Sequence, residues 1–203
     1  MRHASKITAI ALSFLVVATA QAKVDVGQSA PDFSLKSAAG ETVSLSDFAD
    51  QWVVLEWVNY DCPFVKKFYD KSDKMAELQM KWTAQNVAWL SIGSSAPGAQ
   101  GFYSPEEILK LNSKKGWSGT AYLIDSQGTV GKDYGARATP TMVVINPAGK
   151  IVYMGAIDSK SSASARDIAS ADNYVDLALA KGMSGEAVAT PKTRAYGCGI
   201  KYN

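Results

Sequence analysis

Residues 52–65 read WVVLEWVNYDCPFV and decide the fold. Their first half, residues 52–58, is an almost continuous apolar run, which is typical of a strand that is covered on both faces. Pro63 suits the first position of a helix, because the N–H that proline lacks would have no partner there. The stretch therefore predicts a buried strand, a short loop and a helix, with Cys62 at or just before the helix N-terminus.

The sequence on the C-terminal side of this stretch alternates between helical and strand patterns. The first helix breaks at residues 70–73 and is predicted to restart with Ser72 as its cap. Ser104 and Pro105 begin another helix, and Asp167 is predicted to cap a last helix that ends near residue 181. Further strands are predicted at residues 42–45, 87–92, 121–124, 141–145 and 151–154.

Alternating strands and helices of this kind indicate an α/β protein with the connectivity of the thioredoxin-like fold. We expect a central mixed β-sheet, largely parallel, with an antiparallel hairpin at one edge and helices on both faces. Residues 196–203 are expected to lie outside any regular element.

The composition is that of an ordinary globular protein. The chain has 203 residues, of which 47% are hydrophobic and 20% are charged, which excludes a disordered chain, a collagen and a disulfide-dense miniprotein. Lys and Arg total 21 against 19 for Asp and Glu, and no basic stripe is present. The charge pattern therefore does not predict a nucleic-acid partner.

Residues 1–22 have the three-part pattern of a secretory signal peptide. Two basic residues precede a mostly apolar run at residues 7–19, and Ala20-Gln21-Ala22 forms a small-x-small cleavage signature. The apolar run is shorter than the roughly 20 residues that span a bilayer core. We expect cleavage after Ala22 and a periplasmic or secreted protein without stable membrane insertion, and the alternative is an uncleaved anchor.

Cleavage at this point removes His3, the only histidine. A mature chain without histidine excludes Ser-His-Asp and Cys-His catalysis and every histidine-ligated metal site. We therefore expect no metal and no other cofactor. Two cysteines remain, Cys62 and Cys198, in a compartment where they can pair. The predicted organisation is a signal peptide at residues 1–22, a domain at residues 23–185 and a tail at residues 186–203 that carries Cys198.

Four segments of the sequence resemble the redoxin group, which includes peroxiredoxins of the alkyl hydroperoxide reductase and thiol-specific antioxidant type and periplasmic thioredoxin-like proteins. They are VGQSAPDFSL at residues 26–35, the strand and turn at residues 53–65, ATPT at residues 138–141 and NPAGK at residues 146–150. The similarity covers roughly residues 24–181. It implies a thioredoxin-like fold with an active-site cysteine at Cys62.

The departures from the family pattern concern the chemistry. Val65 stands where thioredoxins carry their second cysteine, so a local dithiol is impossible. Leu55 and Asn59 stand where peroxiredoxins carry a proline and a threonine, and Pro140 falls where they carry an arginine. The peroxiredoxin residues that bind and activate a peroxide are therefore replaced.

Cys62 is the candidate nucleophile, because a helix N-terminus favours the thiolate. Lys66 and Lys67 are expected to add positive potential, and the alternative is an inert, half-buried cysteine. The resemblance places Glu56 at the position of the buried acid of thioredoxin. Burial would raise its pKa and make it a proton acceptor. The alternative is a salt bridge to a lysine.

The resemblance also predicts a substrate-binding loop. It assigns a cis peptide bond before Pro140 and implies that the backbone of Thr139 pairs with an extended peptide, with Pro63 beside the cysteine as a further substrate contact. The alternative is an ordinary trans turn. Cys198 has glycines on both sides. Three alternatives remain for Cys198: it pairs with Cys62 in a redox-active disulfide, it forms a permanent structural disulfide, or it does not pair.

Two functions remain open at this point. The first is an exported thiol–disulfide oxidoreductase or thiol-dependent antioxidant protein. In it, Cys62 attacks a disulfide or an oxidant, and Cys198 or an external thiol resolves the resulting mixed disulfide or sulfenic acid. Its partners would be protein thiols and disulfides or a small peroxide, together with an external thiol reductant. The second is a non-catalytic binding or scaffold protein on the same fold.

Overall fold

The computed structural model describes residues 24–203, so the predicted signal peptide lies outside the described residues. Within that range the strands are β1 (Ser34–Ser37), β2 (Thr42–Ser44), β3 (Val53–Trp57), β4 (Ala88–Gly93), β5 (Ala121–Ile124), β6 (Ala138–Thr139), β7 (Thr141–Ile145), β8 (Ile151–Gly155) and β9 (Cys198–Gly199). The α-helices are α1 (Pro63–Tyr69), α2 (Lys74–Thr83), α3 (Pro105–Lys114), α4 (Thr129–Asp133) and α5 (Tyr174–Met183).

Seven of these strands form one mixed sheet in the order β2-β1-β5-β4-β3-β7-β8. The β3–β4 and β4–β5 pairs are parallel, and the pairs that involve β1, β2, β7 and β8 are antiparallel. The prediction of an α/β thioredoxin-like fold with a mixed sheet is confirmed. The expectation that the sheet is largely parallel is wrong, because β1 and β2 add antiparallel strands at the edge opposite the hairpin of β7 and β8.

Strand β3 lies inside the sheet, between β4 and β7, and packs against a core on each face. Val54 faces the core that contains residues of α1, α2 and α5, whereas Leu55 and Trp57 face the core that contains residues of α4. All five residues of the strand are buried. This two-sided burial explains why the sequence here is apolar without alternation.

The helix boundaries differ from the prediction at two points. Ser72 donates its hydroxyl to the Lys67 carbonyl at 2.9 Å and so closes the end of α1, and Asp73 is the N-cap of α2. The last helix does not begin at Asp167. The side chain of Asn173 accepts the Asp176 N–H at 2.9 Å and caps α5, while the side chain of Asp167 accepts a hydrogen bond from Ser162.

The C-terminal tail contains regular structure, contrary to the prediction. Strands β6 and β9 form a separate antiparallel pair in which Thr139 lies opposite Cys198 and Ala138 lies opposite Gly199. On the C-terminal side of β9, further backbone groups of the tail bond to the domain: the Ile200 N–H donates to the Arg137 carbonyl, and the Lys201 carbonyl accepts from the Ala96 N–H. The tail is therefore fixed across the domain at the loop that contains Pro140.

Candidate active site

Cys62 is the N-cap residue of α1, and its own carbonyl accepts the first backbone bonds of the helix. The N–H of Val65 and that of Lys66 donate to this carbonyl at 3.0 and 2.8 Å. Pro63 occupies the first helical position, as predicted, and is exposed. Cys62 itself is fully buried, with 0% of its surface exposed. The thiol therefore lies at the positive end of α1 but beneath a cover.

The cover is formed by the proline loop and the tail. The peptide bond between Thr139 and Pro140 is cis. The Cys62 thiol donates to the Thr139 carbonyl at 3.2 Å, and the Cys198 N–H donates to Cys62 Sγ at 3.4 Å. Both cysteines carry free thiols, and Cys198 is half-buried. The structure thus brings together five of the six predicted site residues: Cys62, Pro63, Thr139, Pro140 and Cys198.

The two thiols have opposite pKa shifts. Burial raises the pKa of Cys62, but hydrogen bonds from the Cys198 thiol and from the backbone N–H groups of Val65 and Cys198 outweigh it and leave the pKa below its ordinary value. The pKa of Cys198 is raised to about 12. Burial is the largest cause, and the hydrogen bond to Cys62 and the negative charge of the Cys62 thiolate add to it. On deprotonation, Cys62 therefore becomes the thiolate while Cys198 keeps its proton.

Thr139 contributes a second group to the site besides its carbonyl. Its Oγ1 atom is buried and has no hydrogen-bond partner among residues 24–203. The same side chain lies close enough to the Cys62 sulfur to lower the pKa of that thiol. A hydroxyl without a partner in the reduced, protonated site is available as a donor once Cys62 is a thiolate.

Glu56 lies apart from this group. It is fully buried, and its carboxylate accepts hydrogen bonds from four side chains: Tyr69 at 2.9 and 3.0 Å, Gln79 at 3.2 Å, Trp89 at 2.9 Å and Ser91 at 3.1 Å. Burial raises its pKa, and these donors oppose the rise. The alternative of a salt bridge is wrong: among residues 24–203, no ion pair includes Glu56. None of its bonded partners there belongs to the thiol site.

Lys67 does not add free positive potential to the thiol. Its ammonium group is fully buried and pairs with Asp158 at 2.7 Å. The second carboxylate oxygen of Asp158 accepts a hydrogen bond from the hydroxyl of Tyr196 in the tail. This buried cluster was missed at the level of the sequence. A lysine between the apolar residues of a short amphipathic helix is the one signal that could have pointed to it.

Gly197 is the second feature that the sequence did not reveal. A Cβ atom at this position would lie 1.9 Å from the Thr139 carbonyl oxygen, and the backbone has a φ of +124°. Only glycine lets the tail approach the proline loop so closely. The residue before Cys198 is therefore a steric requirement of the site and not simply a flexible joint.

A cleft of about 880 Å³ runs along the outer side of the β6–β9 pair. Gly197 and Gly199 line it, whereas Cys198 between them does not, so the thiols lie on the other side of this ribbon. The cleft also has Arg137, Lys192 and Arg194 on its wall, and Lys192 is paired with Asp25. No cluster of His, Cys, Asp and Glu suited to a metal ion occurs within residues 24–203.

Comparison with known proteins identifies relatives of this domain. The sequence pattern of the AhpC/TSA family matches residues 26–154. An uncharacterized conserved protein from Geobacillus kaustophilus is 26% identical, with a TM-score of 0.74 over 88% of this chain and 93% of that one. A hypothetical protein from Sinorhizobium meliloti is 25% identical, with a TM-score of 0.71 over 89% and 96%.

A third structure shows the fold alone. The thioredoxin domain of a thiol-disulfide oxidoreductase from Bacteroides vulgatus is 16% identical, with a TM-score of 0.52 over 72% of this chain and 97% of that one. No curated protein sequence matches the chain. The family match covers the predicted strand and turn at residues 53–65 as well as the proline loop.

Proposed function

Because the chain belongs to the AhpC/TSA family, we propose that it is a thiol-based oxidoreductase in which Cys62 is the nucleophile and Cys198 is the resolving thiol. The observation that carries the proposal is the contact between Cys198 and the Cys62 sulfur, with the backbone N–H at 3.4 Å. The opposite pKa shifts support the assignment of roles, since the thiolate is the attacking species.

The proposed reaction is thiol–disulfide exchange in two steps. The Cys62 thiolate attacks one sulfur of a substrate disulfide, forms a mixed disulfide and releases the other sulfur as a thiolate, which takes up a proton. Cys198 then loses its proton and attacks the Cys62 sulfur, which forms the Cys62–Cys198 disulfide and releases the second substrate thiol. The substrate gains two electrons and two protons, and the protein dithiol loses them.

A second substrate class is favoured by the complete burial of Cys62. A small peroxide needs less room than a protein disulfide, and the tail already occupies the Thr139 backbone that an extended peptide would use. In this case the thiolate attacks the peroxide oxygen, forms a sulfenic acid and releases an alcohol or water. Cys198 then condenses with the sulfenic acid and releases water. In either case an external thiol reductant restores the dithiol.

The remaining assignments belong to the same proposal. Residues 23–185 form the redox domain and residues 186–203 the tail that supplies Cys198, and the protein acts outside the cytoplasm after cleavage behind Ala22. Among residues 24–203, no helix is long and apolar enough to cross a membrane. Intact-mass measurement of protein from the cell envelope tests the cleavage. We expect the mass of a chain that begins at Lys23, and the mass of a chain that still contains residues 1–22 would contradict it.

Thiol counting tests the function and separates the substrates. Reduced mature protein is treated with one equivalent of hydrogen peroxide or of a small disulfide, and thiols are counted and mapped by peptide mass. We expect two thiols to be lost and a Cys62–Cys198 disulfide to form within one chain. The disulfide should form faster with the true substrate class. In the Cys198→Ser variant the reaction should stop after the first step, with Cys62 present as a sulfenic acid or as a mixed disulfide.

The non-catalytic alternative makes a different prediction. A structural disulfide typically has a reduction potential below about −300 mV, whereas exchangeable pairs lie above it. Equilibration of the oxidised protein with a thiol of known potential decides between the two. Two free thiols after oxidation, or only disulfides between chains, would contradict the proposed pairing.

A further inference from the structure

The C-terminal tail is held over Cys62 by a buried ionic cluster, Lys67, Asp158 and Tyr196. Lys67 Nζ lies 2.7 Å from one carboxylate oxygen of Asp158, and the exposed fractions of the two side chains are 0% and 2%. The other oxygen accepts the Tyr196 hydroxyl and the backbone N–H of Lys160, the latter at 3.0 Å. Lys67 Nζ also donates to the Lys160 carbonyl at 3.1 Å.

This cluster connects the two elements that carry the cysteines. Lys67 belongs to α1, whose N-cap is Cys62, and Tyr196 stands two residues before Cys198. The rings of Phe64 and Tyr196 meet edge to face, with centroids 5.8 Å apart. The helix that presents the nucleophile and the segment that presents the resolving thiol are therefore joined at a point outside the reacting atoms.

We propose that Tyr196 is a positioning residue for the Cys62–Cys198 couple: its bond to Asp158 sets the effective concentration of the Cys198 thiol at Cys62, and hence how readily the disulfide forms. The inference rests on the proposed function, because it assigns a role within that couple. Asp158 is also held by buried Lys67 and by the Lys160 N–H, and neither of these partners belongs to the tail. The Tyr196 hydroxyl then forms a charge-assisted hydrogen bond, which is stronger than one between neutral groups.

A purely structural role would have a different consequence. Loss of a buried hydroxyl bond lowers the free energy of unfolding wherever it occurs. Only a bond that orders the tail over Cys62 also changes the equilibrium between the dithiol and the disulfide, since closing the disulfide requires that the tail be held there. Tyr134 offers a matched control, because its hydroxyl donates to the Pro31 carbonyl at 2.6 Å and its bonded partner therefore lies outside the tail.

The experiment measures the equilibrium of the Cys62–Cys198 disulfide with dithiothreitol in wild-type protein, Tyr196→Phe and Tyr134→Phe, together with thermal unfolding of each. We expect Tyr196→Phe to shift the equilibrium about tenfold toward the dithiol, which corresponds to about 1.4 kcal/mol. Tyr134→Phe should stay within about twofold of wild type although its unfolding temperature falls.

Two results overturn the proposal and are distinguishable. If Tyr196→Phe has the same equilibrium as Tyr134→Phe while wild-type protein forms the disulfide, the positioning role is wrong and the proposed function stands. If wild-type protein forms no disulfide within one chain, the proposed pairing fails, and the positioning role fails with it.

Discussion

Thr139 and Cys198 lie directly opposite each other in an antiparallel pair of strands. The resemblance to redoxins assigns the Thr139 backbone to an extended peptide substrate, and in this structure the protein's own tail occupies that edge. The tail also places the backbone N–H of Cys198 3.4 Å from the Cys62 sulfur. In the proposed function, one segment would therefore control both access to Cys62 and the resolution of its product.

Gly197→Ala should remove Cys198 from the site without disturbing the domain. A Cβ at this position would lie 1.9 Å from the Thr139 carbonyl oxygen, and the φ of +124° adds a strain of about 1–3 kcal/mol. We expect the dithiothreitol equilibrium of the disulfide to shift at least tenfold toward the dithiol. Gly199→Ala is the control, because its Cβ would meet only the Arg137 carbonyl oxygen at 3.8 Å. Equal equilibria in the two variants would contradict the steric argument.

Thr139→Val should raise the pKa of Cys62 while it leaves the fold intact or stabilises it. Valine fills nearly the same volume and removes a buried hydroxyl that has no partner among residues 24–203, so no loss of stability is expected. Loss of the donor leaves the Cys62 thiolate less stabilised. The measurement is the pH dependence of Cys62 alkylation by a small reagent, made in the Cys198→Ser background.

Thr141→Val provides the matched control for this change. Its hydroxyl donates to the Ala138 carbonyl at 2.7 Å, so its removal should cost about 1 kcal/mol in the free energy of unfolding. The alkylation profile of Cys62 should stay that of the parent protein. A lower stability for Thr139→Val with an unchanged profile would show that the Thr139 hydroxyl is structural.

The sequence predicts those parts of the molecule that local patterns determine. The apolar run of β3 and the position of Pro63 specify the strand, the helix start and Cys62 at its N-terminus. Asp167 and Asn173 illustrate the limit: each is a good capping residue, and only the packing of α5 decides between them. Strand β9 has two residues and no periodicity, so its pairing with β6 depends on the close approach at Gly197.

Reduction of the disulfide should begin at Cys198. Cys62 is fully buried, whereas Cys198 is half-buried, and a thiol with the lower pKa is the better leaving group. An external thiolate therefore attacks Cys198 Sγ, forms a mixed disulfide there and releases the Cys62 thiolate. Brief treatment of oxidised protein with one equivalent of a small thiol, an acid quench and peptide mapping should locate the adduct on Cys198. An adduct found mainly on Cys62 would reverse the assignment.

Glu56→Gln should flatten the pH dependence of stability. Burial keeps the pKa of Glu56 above its ordinary value. The folded protein therefore holds a proton at pH values where the unfolded chain has released it. The contribution of Glu56 to the stability is therefore greatest below the ordinary glutamate pKa of about 4.3 and is lost as the pH rises toward the folded-state pKa. Glutamine cannot ionise, and its amide can still accept hydrogen bonds from Trp89 and Ser91, so the variant should lack this fall.

Denaturant unfolding across this pH range measures the effect, with Glu77→Gln as a control at an exposed position on α2. A profile for Glu56→Gln that falls as steeply as that of wild type and Glu77→Gln would show that Glu56 does not cause the pH dependence.

The same variant tests the predicted role of Glu56 as a proton acceptor. That role requires the pH profile of Cys62–Cys198 disulfide formation to change as well. Proton transfer by Glu56 would alter the rate of the redox step, whereas a purely structural carboxyl group would not. If only the stability profile changes, Glu56 therefore acts through its buried hydrogen-bond network, which consists of Tyr69, Gln79, Trp89 and Ser91.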